Sequence, residues 1–403
     1  MTTATQTIPK GYKQTEIGLI PEDWSIKPMH EVGKTYGGLS GKVKADFGSG
    51  NSRYIPFMNI MSNPIIDITY FDIVNIKTNE IQAKAQKNDL FFNGSSETPE
   101  EVGMCSVLLK EIPNLYLNSF CFGFRLNKDL KINGLWLSYF FRSGIGRELI
   151  YSLAQGATRY NLSKTNFLKL RILYPESEEQ TAIATVLSDT DALIEKLEKL
   201  IAKKKAVKQG AMQQLLNGKK RLPGFSGEWE VKKLGEVAQI KTGSRNNQDK
   251  IEDGAYPLFV RSQTVERINS YSHDCEAILV PGEGNIGNIF HYIDGRFDVH
   301  QRVYAITKFE KDISGKFIFL YMLQYFGFHA MQNSVKATVD SLRLPTFQAF
   351  EMKLPPTKEE QTAIATNLSN MDAEIEGMEK SLKKYQQIKI GMMQQLLTGK
   401  IRL

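Results

Sequence analysis

EEQTAIATVLSDTDALIEKLEKLIAKKKAVKQGAMQQLLNGKKRL at residues 178–222 returns as EEQTAIATNLSNMDAEIEGMEKSLKKYQQIKIGMMQQLLTGKIRL at residues 359–403. The shift is about 181 residues without a gap, and about 28 of roughly 45 positions are identical. A second echo precedes each copy, since Trp24, Glu31, Val32 and Gly38 recur as Trp229, Glu236, Val237 and Gly243 at a shift of about 205. The two shifts differ, so a common frame holds two unlike cargoes, about 150 residues in the first half and about 130 in the second.

Apolar residues at helical spacing mark one seam in each copy: Ile183, Leu187, Ile194, Leu197, Ile201 and Leu215, then Ile364, Leu368, Met371, Ile375, Met378, Leu382, Met392 and Leu396. The seams coincide under the shift. Packing of each stripe on its own domain would give the same periodicity, but dissimilar cores should have let the copies drift apart. Two matched stripes most economically bury each other, and the whole domain between them favours an antiparallel pair. Ser177 with Gln180, and Thr357 with Glu360, have capping-box spacing. A second start at Ser188 with Asp191, and at Ser369 with Asp372, predicts a short helix, a bend, then a long helix ending near Gly218 or Gly399. About 28 residues make a rod of roughly 40 Å. Lys203, Lys204, Lys205 and Lys208 read as a solvated face rather than phosphate contacts.

A chain of 403 residues with 41% hydrophobic and 24% charged content suits two globular domains with full cores. No stretch approaches the roughly 18 apolar residues of a membrane span, and the polar N-terminal segment lacks a signal-peptide core, so the expected location is the cytoplasm without a membrane partner. Cys105, Cys121 and Cys275 are far apart and outside metal-ligand spacing, which predicts reduced thiols and neither disulfide nor zinc. The net charge of +7 is compatible with a polyanionic partner.

The cargoes carry short apolar and β-branched runs between turns: RYIPFMNIM, DLFFNGS, SVLLKEI and FCFGFRL in the first, YPLFVRS, EAILVPG, NIFHYID and RVYAITK in the second. Each also holds one apolar helix candidate, near residues 133–154 and 316–334. The expected class is α+β: two mixed, mostly-β domains separated by two long helices packed as an antiparallel, coiled-coil-like rod with approximate two-fold symmetry. Gly282, Gly284 and Gly287 spell G-x-G-x-x-G, but NIFHYIDG after them reads as strand and turn where a dinucleotide fold needs a helix. Asp340, Glu351 and Lys353 have loose nuclease spacing without its usual strand context, and the five histidines form no H-E-x-x-H pair. No P-loop occurs. None of these patterns supplies a catalytic residue, a cofactor site or a metal site.

Polar loops suited to base and phosphate contacts do recur. Thr35, Gly37, Gly38, Ser40, Lys42 and Lys44 match Thr242, Gly243, Ser244, Arg245, Asn246 and Asn247: glycines allow close backbone approach and the rest donate to phosphates or read base edges. Thr158, Arg159, Tyr160 and Asn161 near the end of the first cargo correspond to a stretch from Ala337 to Leu342 in the second. Unmatched clusters are Asn93, Ser95, Ser96 and Glu97 in one cargo, and Arg261, Ser262 and Gln263 with His300, Gln301 and Arg302 in the other. A solvated turn is the bland alternative for each. Residues that differ between the halves are where two different sequences would be read.

The whole arrangement resembles the specificity subunit of type I restriction-modification systems. The likeness is carried by TEIGLIPEDW at residues 15–24, by the EEQTAIA and QQLL helical tracts, and by Tyr160-Asn161-Leu162-Ser163 ahead of residues 170–175 and EEQ; the second half departs at Asp340-Ser341-Leu342. The resemblance implies a lead-in at 1–23, a first target-recognition domain at 24–177, a central helical spacer at 178–222, a second recognition domain at 223–358 and a C-terminal helical spacer at 359–403. It further implies that each domain reads half of a split double-stranded DNA site while the helices set the spacing and dock two modification subunits. Those subunits would carry S-adenosylmethionine and methylate adenine, and restriction subunits would use Mg and ATP, so this chain itself binds no cofactor. The other readings are a DNA nuclease acting alone through Asp340, Glu351 and Lys353, and a scaffold that binds only protein. The end of the chain, Gly399-Lys400-Ile401-Arg402-Leu403, matches the joint that leads into Trp229, so the C-terminal residues are expected beside the segment leading into Trp24.

Overall fold

The computed structural model describes residues 8–156, 158–334 and 341–403. They form two compact α+β units, one made of residues up to Leu197 together with Ser381–Leu403, the other of Glu198–Lys380. Ser177–Leu215 and Lys358–Leu396 are each one continuous helix of 39 residues, about 58 Å long at 1.5 Å per residue. The predicted bend is absent. The Ser188 hydroxyl donates to the Thr185 carbonyl at 3.0 Å, so it is satisfied inside the helix and does not act as a second cap. The helices end a turn before Gly218 and Gly399, both in the left-handed region.

In the first unit the start of one long helix lies against the end of the other, with Asp191 paired to Lys389 at 2.5 Å. Ile183, Leu187 and Leu396 are buried in its main core with Trp24, Phe92, Phe124, Phe141 and Phe167. In the second unit the end of the first helix meets the start of the second: Lys204–Glu374 and Lys205–Glu379 at 2.7 Å, and Lys208–Asp372. Met212, Leu215, Ile364 and Leu368 share a core there with Phe317, Phe326 and Phe347. In both units the numbering rises along one helix as it falls along the other, so the pair is antiparallel. The lysine run is a solvated face, with Lys203 and Lys205 exposed, that also carries interhelical ion pairs from Lys204, Lys205 and Lys208. Because its partners are half-exposed, Lys204→Ala or Lys205→Ala should lower stability by less than about 1 kcal/mol in thermal unfolding; a larger loss would mean these pairs carry more than screened pairing.

Each cargo joins the frame through a neck built the same way. Ser25–Pro28 pairs antiparallel with Arg171–Tyr174, and Glu230–Lys233 with Glu351–Leu354. The repeated EEQ sits on this neck. Gln180 accepts from the Asn133 amide at 2.8 Å and donates to the Pro175 carbonyl at 2.8 Å; Gln361 accepts from Ser314 at 2.9 Å and donates to Asp312 and Pro355. Asn133 and Ser314 are the N-caps of Gly134–Arg142 and Gly315–Gln332, so each glutamine fixes the start of its cargo's helix. Glu179 accepts from Trp24 at 2.8 Å and from Arg402 at 2.5 and 2.8 Å, while Glu360 accepts from Arg221 at 2.5 and 2.6 Å. With these side chains committed, neither predicted capping box closes. Thr357 caps the Glu360 amide at 3.4 Å, but the Glu360 carboxylate turns to Arg221 instead. Tyr12 donates to the Gly399 carbonyl at 2.9 Å and Arg402 also grips Asp23, which places the C-terminal residues beside the lead-in as expected.

The first cargo contains a four-stranded antiparallel sheet, Gly33–Gly37, Cys121–Leu126, Leu90–Asn93 and Cys105–Val107 in spatial order, plus two three-stranded sheets. Two expectations fail locally. After Pro56 the run FMNIM is the helix Phe57–Ser62 and not strand. The 133–154 candidate breaks in two at buried Ser143, whose hydroxyl caps the second helix, Gly144–Tyr151. The second cargo is built on a six-stranded sheet and the unbroken helix Gly315–Gln332, with short helices at Leu234–Val237 and Leu344–Gln348. All three cysteines are free. No helix among the described residues is long and apolar enough to cross a membrane.

Candidate nucleic-acid interface

In the second unit the polar loops expected at an interface converge. The Gln301 amide donates to the Arg245 carbonyl at 2.8 Å, the Gln301 side chain donates to Asn246 Oδ1 at 2.5 Å, and the His300 amide donates to the Phe259 carbonyl at 2.9 Å. These bonds draw residues 242–246, 261–263 and 300–302 into one cluster. Arg245 is its strut: Nε donates to Asp298 Oδ2 at 2.8 Å and Nη2 to Ser270 Oγ at 2.9 Å. Asp298 is fully buried. Burial pushes its carboxyl up, but donors from Ser272, Arg245, Ser270 and the Val299 amide outweigh this and hold it below its ordinary value. His300, also buried, is held below the usual imidazole range, first by burial and then by the charges of Arg261 and Arg302.

Arg261 and Arg302 are half-exposed and share one carboxylate, with Nη1 of Arg302 at 3.0 Å and Nη1 of Arg261 at 3.4 Å from Glu283. These are the only hydrogen bonds of either guanidinium among the described residues, so most of each fork remains open to a ligand. Ser262 donates to the Thr264 carbonyl, while Thr242, Ser244 and Gln263 are exposed. Gly243 serves close packing: a Cβ there would overlap the Val299 carbonyl.

The first unit brings together a different set. Tyr160–Leu162 pairs with Ser95–Ser96, setting Tyr160 across from Ser96 and Asn161 across from Ser95. Glu97, Thr158, Arg159 and Asn161 are exposed around that ladder. Asn93 is fully buried and spent on Ser95, Glu101 and Met104, so it shapes the loop from beneath. Ser96 is likewise bound, to Glu101 at 2.9 Å. Lys42 keeps 3% of its side chain exposed, paired with Glu80 and donating to the Asn75 carbonyl at 2.5 Å, whereas Lys44 is exposed. Gly37 ends a strand, and Gly38 allows the Asn118 carbonyl to approach as Gly243 does for Val299. Gly38 and Gly243 answer to backbone packing, whereas a Cβ at Gly37 would meet only the Lys164 amine at 3.8 Å.

Glu283 and Asp298 were not singled out from sequence. The available signal for Glu283 was an acidic residue between Gly282 and Gly284 in a turn joining His273–Pro281 to His291–Val299. That glycine run is indeed followed by a strand. Ala337, Thr338, Val339 and Asp340 lie outside the described residues; Glu351 and Lys353 stand exposed on the neck strand. No group of three or more His, Cys, Asp or Glu side chains suited to a metal occurs among the described residues.

The family model described as "Type I restriction modification DNA specificity domain" matches residues 21–208 and again residues 226–388. The type I restriction enzyme MjaVIII specificity subunit of Methanocaldococcus jannaschii is 26% identical over 418 residues, spanning 95% of this chain and 94% of that protein. The type I restriction enzyme EcoDI specificity subunit of Escherichia coli is 31% identical over 172 residues, 42% of this chain and 37% of that one. The crystal structure of a type I restriction-modification S subunit from M. genitalium matches with a TM-score of 0.61 at 16% identity, covering 93% of this chain and 96% of that one, a likeness of fold.

Proposed function

This chain belongs to the type I restriction-modification DNA specificity family, and we propose that its cargoes, residues 24–177 and 223–358, each read one half of a split double-stranded DNA site. The helical tracts 178–222 and 359–403 then act as spacer and as dock for two modification subunits. The observation that carries this division is the contrast between frame and loops. Glu179 with Arg402 and Glu360 with Arg221 close the same clamp in each unit, while the exposed clusters differ, Thr158, Arg159 and Asn161 in one, Arg261 and Arg302 in the other. A constant frame with unlike reading surfaces suits a site of two unlike halves.

Recognition of this kind forms no covalent bond: exposed donors and acceptors meet base edges and phosphates, and partly buried struts such as Arg245–Asp298 hold them in place. S-adenosylmethionine, magnesium and ATP belong, in this reading, to the modification and restriction subunits, and the assembly works in the cytoplasm.

The test is binding by the chain with its modification subunits to duplexes that keep both half-sites and change only the spacer by a few base pairs. Specific affinity is expected to fall to the non-specific level, on the order of a thousandfold. Equal affinity across spacers would overturn the reading.

A further inference from the structure

We propose that Glu283, held between Arg261 and Arg302, is a specificity-determining residue that reads a C·G base pair in the half-site of the second domain. Its carboxylate accepts from the cytosine N4 amino group, and one neighbouring arginine donates to O6 and N7 of the paired guanine. This deepens the function proposed above and depends on it.

A carboxylate facing DNA is repelled by every phosphate and by every acceptor on a base edge. The major-groove edges that can satisfy it are the amino groups of cytosine and adenine. The arginines decide between them. A guanidinium fork matches the two acceptors of guanine, whereas beside adenine it would meet thymine, with one acceptor and a methyl group. The geometry fits: Arg302 and Arg261 each give Glu283 a single Nη1, at 3.0 and 3.4 Å, which aligns the forks without using them up.

A purely structural role is poorly supported. Both arginines are more than half exposed, and such ion pairs contribute little to stability. The backbone of this turn is fixed without the side chain, by Gly282 donating to the Arg302 carbonyl at 2.9 Å and Leu342 donating to the Gly282 carbonyl at 2.8 Å. Glu283 also bridges to Ser341 through the backbone.

The experiment selects bound duplexes from a randomised library using the chain with its modification subunits. The wild-type chain should yield a split motif containing a C·G pair in one half. Glu283→Ala should lose preference at that pair by about tenfold or more and leave the other half unchanged. Glu283→Gln, which keeps the shape and one acceptor but adds donors, should blur the same pair only. Full retention of the motif by Glu283→Ala overturns this inference alone, as does a uniform weakening of all sequences, which would mark phosphate positioning. A wild-type chain that selects no split motif overturns the proposed function and this inference together.

Discussion

Replacing Arg221 with alanine is expected to cost about 3 kcal/mol, because it leaves the Glu360 carboxylate, 1% exposed, without its two-point partner. Breaking a buried pair from one side is more damaging than the pair's net worth, since the carboxylate loses both guanidinium donors at a site where it is itself 1% exposed. The loss should be read by urea unfolding as a lower midpoint. Arg221→Ala combined with Glu360→Gln should recover part of it, because a neutral amide is cheaper to bury unpaired than a carboxylate. Arg402→Ala should cost less, as Arg402 is 40% exposed and Glu179 retains the Trp24 donor. Equal stability of Arg221→Ala and wild type would show that the clamp is ornamental to the fold.

Gly243→Ala should destabilise by on the order of 3 kcal/mol, at the upper end for overpacking, because the added Cβ meets the backbone carbonyl of Val299 and not a side chain that can swing away. The loop carrying Arg245 would be forced off its strut, and binding to the second half-site should fall with stability. Gly38→Ala should do the same in the first unit, against the Asn118 carbonyl. Thermal unfolding of both variants checks this. A Gly243→Ala chain with wild-type stability but impaired DNA binding would return that glycine to the role read from sequence, close approach to a ligand.

The helices, their seams and their antiparallel sense were legible because a repeat shows one structural solution twice. The strands of the second cargo were legible from turn-bounded apolar runs. The bend was misread because serine has two uses, cap or back-bonded hydroxyl, and only the surrounding turns decide which. Gln180 and Glu360 had the spacing of a local cap yet serve partners 47 and 139 residues away, contacts that no local pattern encodes. Glu283 lies inside the glycine run Gly282–Gly287, whose spacing points to a dinucleotide loop, and its pairing with Arg261 and Arg302, 22 and 19 residues away, is encoded in no local pattern. Lys42 and Asn93 have the right chemistry for DNA, but burial has already spent their polar atoms.

The crossed clamps also set an order of events during synthesis. The core of the unit encoded first includes Leu396 and Leu397, and its Trp24–Glu179 pair is gripped by Arg402. Those residues leave the ribosome after the rest of both units. The unit of residues 198–380 has all its parts earlier, with Arg221 and Glu360 in hand while Arg402 is still to be made. The first domain to be translated is thus the last to be finished, and until then it waits with one side of its long helix bare.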